Sequence, residues 1–303
     1  MEATNAIKSI KSNKILMDIF TILNDKKTLY LVKYNKIIQK KIGITIEHFK
    51  MISGKYKIKE INGEESIYSL HTKLLLFRGK YLNGRRNGQG KEYDKGKLIY
   101  DGNYLNGIRN GQGTEYNYKG QKIFEGEYLN GKQWNGKGTE YNDKDNIILE
   151  SEYLNGKKHG KGKEYYNDGT LLFEGEYLDG KKHGKGKEYY INGNLLYEGE
   201  YLYGKKHGKG KEYNEEGKFL FEGTYLDGKR WRGYGKEYDY NGKILYEGEY
   251  LNGKRNGKGK EYDYNGKLIF EGEFNEGKKW NGKGKEYDYN GKLINEKEYI
   301  NGQ

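Results

Sequence analysis

The sequence contains no cysteine and no proline, and only 33% of its 303 residues are hydrophobic. The lack of cysteine excludes disulfides and thiolate metal sites, and the lack of proline excludes polyproline linkers. No apolar run approaches the ~18 residues that would span a bilayer, and no signal peptide precedes the first charged residues. We therefore expect a cytoplasmic protein, with a peripheral position at a membrane or the cytoskeleton as the alternative.

The abundant residues are charged residues (33% of the chain), 47 glycines and 33 tyrosines. Such polarity is typical of disordered chains, but here the sequence repeats at a nearly fixed period. The aromatic residue of the phrase GEYLNG returns every 23 to 25 residues. It stands at Tyr81, Tyr104, Tyr128, Tyr153, Tyr177, Tyr201, Tyr225, Tyr250, Phe274 and Tyr299. The chain is therefore a tandem array of about ten 24-residue repeats.

Each repeat contains two strand-like phrases. In LLFEGEYL, Phe173, Gly175 and Tyr177 alternate with Glu174 and Glu176. Alternation with period two predicts strands that carry aromatic residues and glycine on one face and charge on the other. A glycine beside a large ring leaves room for that ring to lie over the backbone. The fold class we predict is mainly β, an elongated single-layer antiparallel β-meander solenoid of about ten hairpins, with a small N-terminal α-helical cap.

The two connections within a repeat differ in sequence. Asn-Gly in the phrase DYNG, as at Asn241-Gly242, predicts a tight type I′ turn, because both central residues of that turn need positive φ. The other connection, NGKKHG, is predicted to be longer and basic. Three repeats contain one extra residue there, together with a tryptophan: Trp134, Trp231 and Trp280.

Residues 1–50 differ in composition from the remainder, being rich in Ile, Leu and Lys and poor in glycine. Residues with helical spacing predict short helices, and the simplest interpretation is a cap that covers the open end of the sheet. The array is predicted to occupy 51–303, with 51–78 as a degenerate first repeat, because Tyr56 precedes Tyr81 by one period.

The run KILMDIFTILNDKKTLYLVKYNKIIQKKI also resembles an F-box. The resemblance implies docking on a Skp-type adaptor of a ubiquitin ligase. The docking residues would be Ile15, Leu16, Ile19, Phe20 and Leu23. The cap and the F-box remain alternative interpretations of 1–50.

The phrase YEGEYLNGKRNGKGKEY, Tyr246–Tyr262, resembles the MORN repeat and its variant form. Many MORN units have tyrosine two residues after the second glycine, whereas GKGKEY places it three after. That difference indicates a bulge in the second strand or membership of the variant form. The resemblance implies a β-meander that acts in scaffolding, dimerisation or membrane association, so a protein partner or a second copy of the chain is expected.

No arrangement of residues indicates an enzyme, a cofactor or a metal. His159, His183 and His207 recur at 24-residue spacing, and two strands per repeat would separate the outer pair by about 20 Å. Ligands of one zinc ion must converge within about 2.1 Å of it. The GKGK runs lack the pattern and the context of a phosphate-binding loop. We expect neither catalytic, cofactor-binding nor metal-binding residues.

A basic pair recurs in the connection NGKKHG. The net charge is +12, and one edge of the sheet is predicted to present a pair every ~10 Å, which would attract an anionic phospholipid surface. The pairs are Arg85-Arg86, Lys157-Lys158, Lys181-Lys182, Lys205-Lys206, Lys229-Arg230, Lys254-Arg255 and Lys278-Lys279. The simpler alternative is that these residues solvate the turns. Trp134, Trp231 and Trp280 are candidate partner anchors, or they fold back over the sheet.

Two functions follow from these patterns. The first is a non-enzymatic scaffold that binds proteins, and anionic membrane surfaces as a further target, through its β-ribbon. The alternative is an F-box-type substrate adaptor with the repeats as substrate receptor. Nucleic acid is the less favoured partner, although lysines and aromatic residues interleave.

Overall fold

The computed structural model describes Lys40 and residues 54–60 and 62–303. Between residues 54 and 303 the described chain consists of strands and turns. The 21 strands are β1 Lys55–Lys59, β2 Glu65–Ser69, β3 Leu75–Leu82, β4 Arg85–Asp94, β5 Lys97–Leu105, β6 Ile108–Tyr116, β7 Lys122–Leu129, β8 Lys132–Tyr141, β9 Ile147–Leu154, β10 Lys157–Tyr165, β11 Leu171–Leu178, β12 Lys181–Tyr189, β13 Leu195–Leu202, β14 Lys205–Tyr213, β15 Phe219–Leu226, β16 Lys229–Tyr238, β17 Ile244–Leu251, β18 Lys254–Tyr262, β19 Leu268–Asn275, β20 Lys278–Tyr287 and β21 Leu293–Tyr299.

The strands form two compact units, and the division passes through β7 and the first residue of β8. In the first unit, β1 to β6 pair in chain order, each antiparallel to the next. In the second unit, β8 to β21 pair in the same way. The predicted antiparallel meander is confirmed. The hairpin β1–β2 lies where the degenerate first repeat was predicted, whereas the helical cap of 1–50 lies outside the described residues.

One face of the sheet, here called the ring face, carries the buried aromatic residues. Phe173 is 0% exposed and Tyr177 is 4% exposed. The ring of Phe173 contacts the ring of Tyr201 edge to face, with centroids 5.5 Å apart, and Tyr197 continues the series in the next repeat. A Cβ placed on Gly186 would lie 2.7 Å from the Phe173 ring. The glycines therefore make room for the rings, as the alternation predicts.

The two turn types are the reverse of the prediction. The phrase YLNGK forms the two-residue hairpin, because Asn155 and Gly156 have φ values of 53° and 75°, as a type I′ turn requires. The DYNG phrase forms a longer loop, in which only Gly242 has positive φ. Its Asp239 carboxylate accepts hydrogen bonds from the backbone N–H groups of Asn241 and Lys243, which favours a wider turn over a tight hairpin.

The second strand contains a bulge, which was one of two explanations for the spacing in GKGKEY, but it lies before the second glycine and not between that glycine and the tyrosine. Glu176 pairs with His183 and Gly175 pairs with Gly186, so two residues of β12 lie between these pairs. One of them, Gly184, has a φ of 63°, a conformation that favours glycine.

The extra residue of the tryptophan-containing repeats was predicted to lie in the turn, and that prediction was wrong. The turn Asp227-Gly228 keeps two residues, both with positive φ. The register shifts inside β16 instead, where Tyr225 pairs with Arg230 and Thr224 pairs with Arg232, leaving Trp231 between them. The hairpin is unchanged, and the bulge of β16 holds one residue where that of β12 holds two, so β16 pairs with β15 in a different register beyond the bulge.

Candidate functional site: a charged groove with a glycine floor

The face opposite the rings, here called the charged face, presents lysine and glutamate in regular order. Lys163 pairs with Glu174 and Lys161 pairs with Glu176, while Gly162 pairs with Gly175 between them. The next strands repeat the arrangement, since Glu198 pairs with both Lys187 and Lys211. Opposite charges on directly paired residues stabilise a sheet by about 0.2–1 kcal/mol per pair.

In the second unit this face forms a groove of about 1210 Å³ that runs from β8 to β16. Its floor is a row of glycines that Ser151 interrupts, and its two walls are the side chains on either side of that row. The lining residues are Lys137, Gly138, Thr139, Glu150, Ser151, Glu152, Lys161, Gly162, Lys163, Glu174, Gly175, Glu176, Lys185, Gly186, Lys187, Glu198, Gly199, Glu200, Lys209, Gly210, Lys211, Glu222, Gly223, Thr224, Arg232 and Gly233. We call it the glycine groove.

The walls of the glycine groove carry both signs of charge in nearly equal number. Eight lining residues are basic and seven are acidic. Because lysine and glutamate alternate from strand to strand, neither wall has the single-signed potential that attracts a polyanion. The groove crosses eight strand spacings, or about 38 Å, which corresponds to about 11 residues of extended polypeptide.

Hydrogen bonds hold the acidic wall residues in place. Glu174 accepts a hydrogen bond of 2.8 Å from the phenol of Tyr189, and burial together with this bond raises the pKa of Tyr189 to about 12. On the other wall, Glu152 accepts a hydrogen bond of 3.1 Å from the backbone N–H of Lys161 at the bulge. The carboxylates are thus oriented before any ligand arrives, which lowers the entropy cost of binding.

The structure divides each predicted basic pair into an exposed and a half-buried member. The first members, such as Lys157 and Lys205, have side chains about 60% exposed, at 59% and 61%. Each lies 3.6 Å from an aspartate of the following hairpin, Asp179 and Asp227 respectively. The second members that form an ion pair have side chains only 19–30% exposed, as in Lys206 and Arg230.

The second members are part of the ring face rather than of a free edge. The ammonium of Lys182 lies 4.0 Å from the centroid of the Phe173 ring and 3.4 Å from carboxylates of both Glu164 and Glu188. Arg255 likewise lies 4.3 Å over the Tyr246 ring. Cations between a ring and two carboxylates stabilise the repeat, so they have little freedom to bind a ligand.

In the first unit, the same placement of basic side chains beside a carboxylate changes the pKa of Glu92. Burial raises the pKa of Glu92, but a hydrogen bond and the charge of Arg109, with the charge of Arg86, outweigh burial. The pKa of Glu92 therefore lies below its ordinary value. Arg109 also lies 4.2 Å over the Tyr100 ring.

Sequence reasoning missed the exposed leucines that precede the two-residue turns, some of which pair with an exposed lysine. Leu154 pairs with Lys157 and Leu202 pairs with Lys205 across their two-residue turns. The signal was present, because each leucine precedes its turn in the phrase YLNG. The exposed members are Leu82, Leu105, Leu129, Leu154, Leu202, Leu226 and Leu251, at 37–60% exposure.

The three tryptophans lie in different surroundings. Trp231 is 43% exposed. Trp134 is half-buried, and a Cβ on Gly156 of the following turn would lie 3.8 Å from its ring. Trp280 is half-buried beside Gly302 in the same manner. Of the candidate anchors, Trp231 is therefore the one most open to a partner.

The remaining sequence predictions concern metals, membranes and the adaptor. Within 54–60 and 62–303, no cluster of His, Asp and Glu could hold a metal ion. His183 lies in β12 at the bulge, not in a turn. The described residues include no helix long and apolar enough to cross a membrane. The candidate adaptor-docking residues in 1–50 lie outside the described part of the chain.

Comparison with family models identifies the repeats. The MORN repeat matches residues 77–97, 100–122, 150–171, 173–195, 197–218 and 246–267, and the MORN repeat variant matches 232–252 and 280–301. Together these segments cover more than half of the chain. They leave the F-box-like resemblance of residues 1–50 without support.

A search of curated proteins returned no match. Solved structures with local similarity include a mutant of S. aureus TarM in complex with fondaparinux, alpha-GlcNAc-glycerol and UDP, at 10% identity, covering 49% of this chain and 24% of that chain with a TM-score of 0.21. The Photorhabdus luminescens Tc holotoxin pore shares 14% identity over 81% of this chain and 14% of that chain, with a TM-score of 0.20. The chain spans a quarter or less of the length of these proteins.

Proposed function

Because this chain belongs to the MORN-repeat proteins, we propose that it is a non-enzymatic scaffold whose glycine groove binds an extended segment of a partner protein. MORN repeats generally serve protein and membrane interaction. The observation that carries the proposal is the groove itself, a continuous surface with a floor of glycines that only Ser151 interrupts and walls of charged side chains.

The groove favours a segment of mixed charge. A ligand side chain that meets Lys185 or Lys187 gains from a negative charge, whereas one that meets Glu198 or Glu200 gains from a positive charge. The floor contributes Cα–H groups, because the backbone N–H and C=O groups of the glycines take part in the strand ladder. Recognition therefore depends on the walls, and we expect binding to weaken with salt.

Affinity capture with the full chain as bait tests this. Lys185→Glu with Lys187→Glu reverses two wall residues, whereas Lys258→Glu with Lys260→Glu makes the same change in β18, beyond the groove. We expect mass spectrometry to identify proteins that the wild type and the β18 variant retain and the groove variant loses. A groove variant that is folded by circular dichroism and retains all partners would exclude the glycine groove as their site.

The F-box-type adaptor remains the alternative function and depends on residues outside the described range. The same capture with residues 51–303 separates the two. A Skp-type adaptor recovered only with the full chain would establish the alternative, and the repeats would then be the substrate receptor. Partners shared by both chains would assign binding to the repeats.

A specific observation also favours contact with an anionic membrane as a second candidate. Exposed Leu154 and Leu202 stand next to exposed Lys157 and Lys205 at one edge of the sheet in the second unit, so apolar contact and charge attraction act at the same surface. The half-buried members Lys158, Lys182 and Lys206 contact the ring face and are left unchanged in the test.

Co-sedimentation with phosphatidylserine vesicles measures binding of the chain to an anionic membrane. Reversal of Lys157, Lys181 and Lys205 to glutamate removes about 1 kcal/mol per lysine, so we expect a loss of binding of about 100-fold. The matched control is reversal of Lys258, Lys260 and Lys283, which changes the net charge equally on the charged face. Equal losses in both variants would mean that net charge, and not this edge, determines attraction.

A further inference from the structure

Three consecutive loops, at the strand ends opposite the two-residue hairpins, carry a highly exposed tyrosine. Tyr240, Tyr264 and Tyr289 are 90%, 72% and 97% exposed, in contrast to the buried tyrosines of the ring face. Each is the residue after the aspartate in DYNG and so occupies the same turn position. In the two loops before them that position holds Ile191 and Glu215. Tyr118 holds the same position in one loop of the first unit, but only the last three repeats carry an exposed aromatic residue there in consecutive loops, and these three form a row.

The turns that carry the row are fixed by hydrogen bonds. In the second turn, the Asp263 carboxylate accepts hydrogen bonds of 2.9 Å and 2.8 Å from the backbone N–H groups of Asn265 and Lys267. Lysines connect one turn with the next, since Lys243 donates to the carbonyl of Tyr264 at 3.3 Å and Lys267 donates to the carbonyl of Gly291. The tyrosines are therefore presented on a fixed base.

The interval between the tyrosines is defined by the sheet. Two strands separate successive turns, so the residues of the row repeat every ~9.6 Å. A polyproline II helix has three residues per turn and a rise of about 3.1 Å, which gives a repeat of about 9.3 Å. Side chains on one side of an extended strand repeat every ~6.7 Å, and those on one side of an α-helix every ~5.4 Å. Neither distance matches the interval between the tyrosines.

The polar groups beside the row also fit a polyproline II ligand. Its backbone carbonyls have no internal hydrogen-bond partners and are open to donors. Asn241, Asn265 and Asn290 follow the three tyrosines, are exposed, and have side-chain amides free to donate. The charged groups of the turns, such as Asp263 and Lys243, are engaged within the protein. Recognition would therefore depend on rings and amides and would be insensitive to salt.

We propose that Tyr240, Tyr264 and Tyr289 form a docking row for a proline-rich segment in the polyproline II conformation, with proline at every third position. Proline-rich segments characteristically bind to exposed aromatic residues, because the preformed helix loses little entropy on binding. Three rings span two helical turns, which requires a segment of about seven residues. This surface is separate from the glycine groove, and it adds a second binding site to the proposed scaffold.

Fluorescence anisotropy with the full chain tests the row. The probe is a labelled peptide of about ten residues with proline at every third position, and the control peptide has the same composition with the prolines adjacent. We expect the periodic peptide alone to bind, with an affinity that changes little between low and high salt. The groove variant Lys185→Glu with Lys187→Glu should bind it as the wild type does.

Two tyrosine variants complete the experiment. Tyr264→Ala removes the central ring and should weaken binding by about tenfold or more. Tyr118→Ala removes an exposed tyrosine from an isolated turn of the first unit and should leave binding unchanged. Equal binding of both peptides, no binding of the periodic peptide, or an unaffected Tyr264→Ala variant would overturn the proposal. Binding of a linear oligosaccharide in place of the peptide would equally overturn it and assign the row to carbohydrate.

Discussion

Substitution of Gly210 by alanine tests whether the ring face depends on glycine for space. A Cβ at this position would overlap the Tyr197 hydroxyl oxygen and lie 2.6 Å from the ring atom Cε2. Tyr197 is fully buried and contacts the rings of Tyr201 and Tyr225, so it has no free volume into which to move. Gly210 does not have a positive φ, and steric overlap is therefore the cause to be measured.

The change in the free energy of unfolding caused by Gly210→Ala is the balance of two opposed effects. Replacing glycine with alanine stabilises by about 0.4–1 kcal/mol through the unfolded chain, whereas overpacking a full core costs about 1–3 kcal/mol. We expect a net loss of about 1–2 kcal/mol in the free energy of unfolding. Lys209→Ala, one residue earlier and directed to the charged face, should stay within about 0.5 kcal/mol of the wild type.

Urea denaturation followed by circular dichroism gives the free energies, and a double-mutant cycle identifies the cause. Tyr197→Leu removes the ring atoms that alanine would meet. In that background Gly210→Ala should be neutral or stabilising, so that the two substitutions couple by about 1 kcal/mol or more. A cost that is unchanged by Tyr197→Leu, or no cost at all, would refute the explanation that the glycines exist to admit the rings.

Two further predictions concern stability. Asp263→Ala removes the acceptor of two backbone N–H groups and should lower the free energy of unfolding by about 1 kcal/mol. Asp263→Asn keeps an acceptor oxygen and should lower it by less. Similar losses in both variants would contradict a role of these hydrogen bonds in holding the turn. The pKa of Glu92 is lowered in the folded protein, so its contribution is present above its unfolded pKa of about 4.5 and disappears as pH falls through the folded value. Urea titrations from pH 7 to pH 3 should therefore show a smaller acid loss in Glu92→Gln than in the wild type, and equal slopes would exclude the ion pair with Arg109 as the cause.

The sequence alone determined the repeat, the antiparallel meander and the assignment of faces. A 24-residue period with two alternating phrases has few other solutions, because alternation fixes which side of a strand each residue occupies. Phe173 and Tyr177 were correctly placed opposite Glu174 and Glu176. A bulge in the second strand was one of two explanations for the additional residue in GKGKEY, and its position before the second glycine was not predicted.

Only the tertiary structure decided which members of these regular sets are free to bind. Lys181 and Lys182 are adjacent and chemically identical, yet Lys182 lies between a ring and two carboxylates while Lys181 is exposed. As successive residues of β12 they face opposite sides, and which of them joins the ring face is set by the two-residue turn before β12, which the sequence analysis had placed in the other connection. In the same way, a tyrosine in a strand and a tyrosine in a turn, such as Tyr246 and Tyr264, look alike in the sequence. The first is 0% and the second 72% exposed, because strand residues are covered by the next repeat whereas turn residues have no neighbour that covers them.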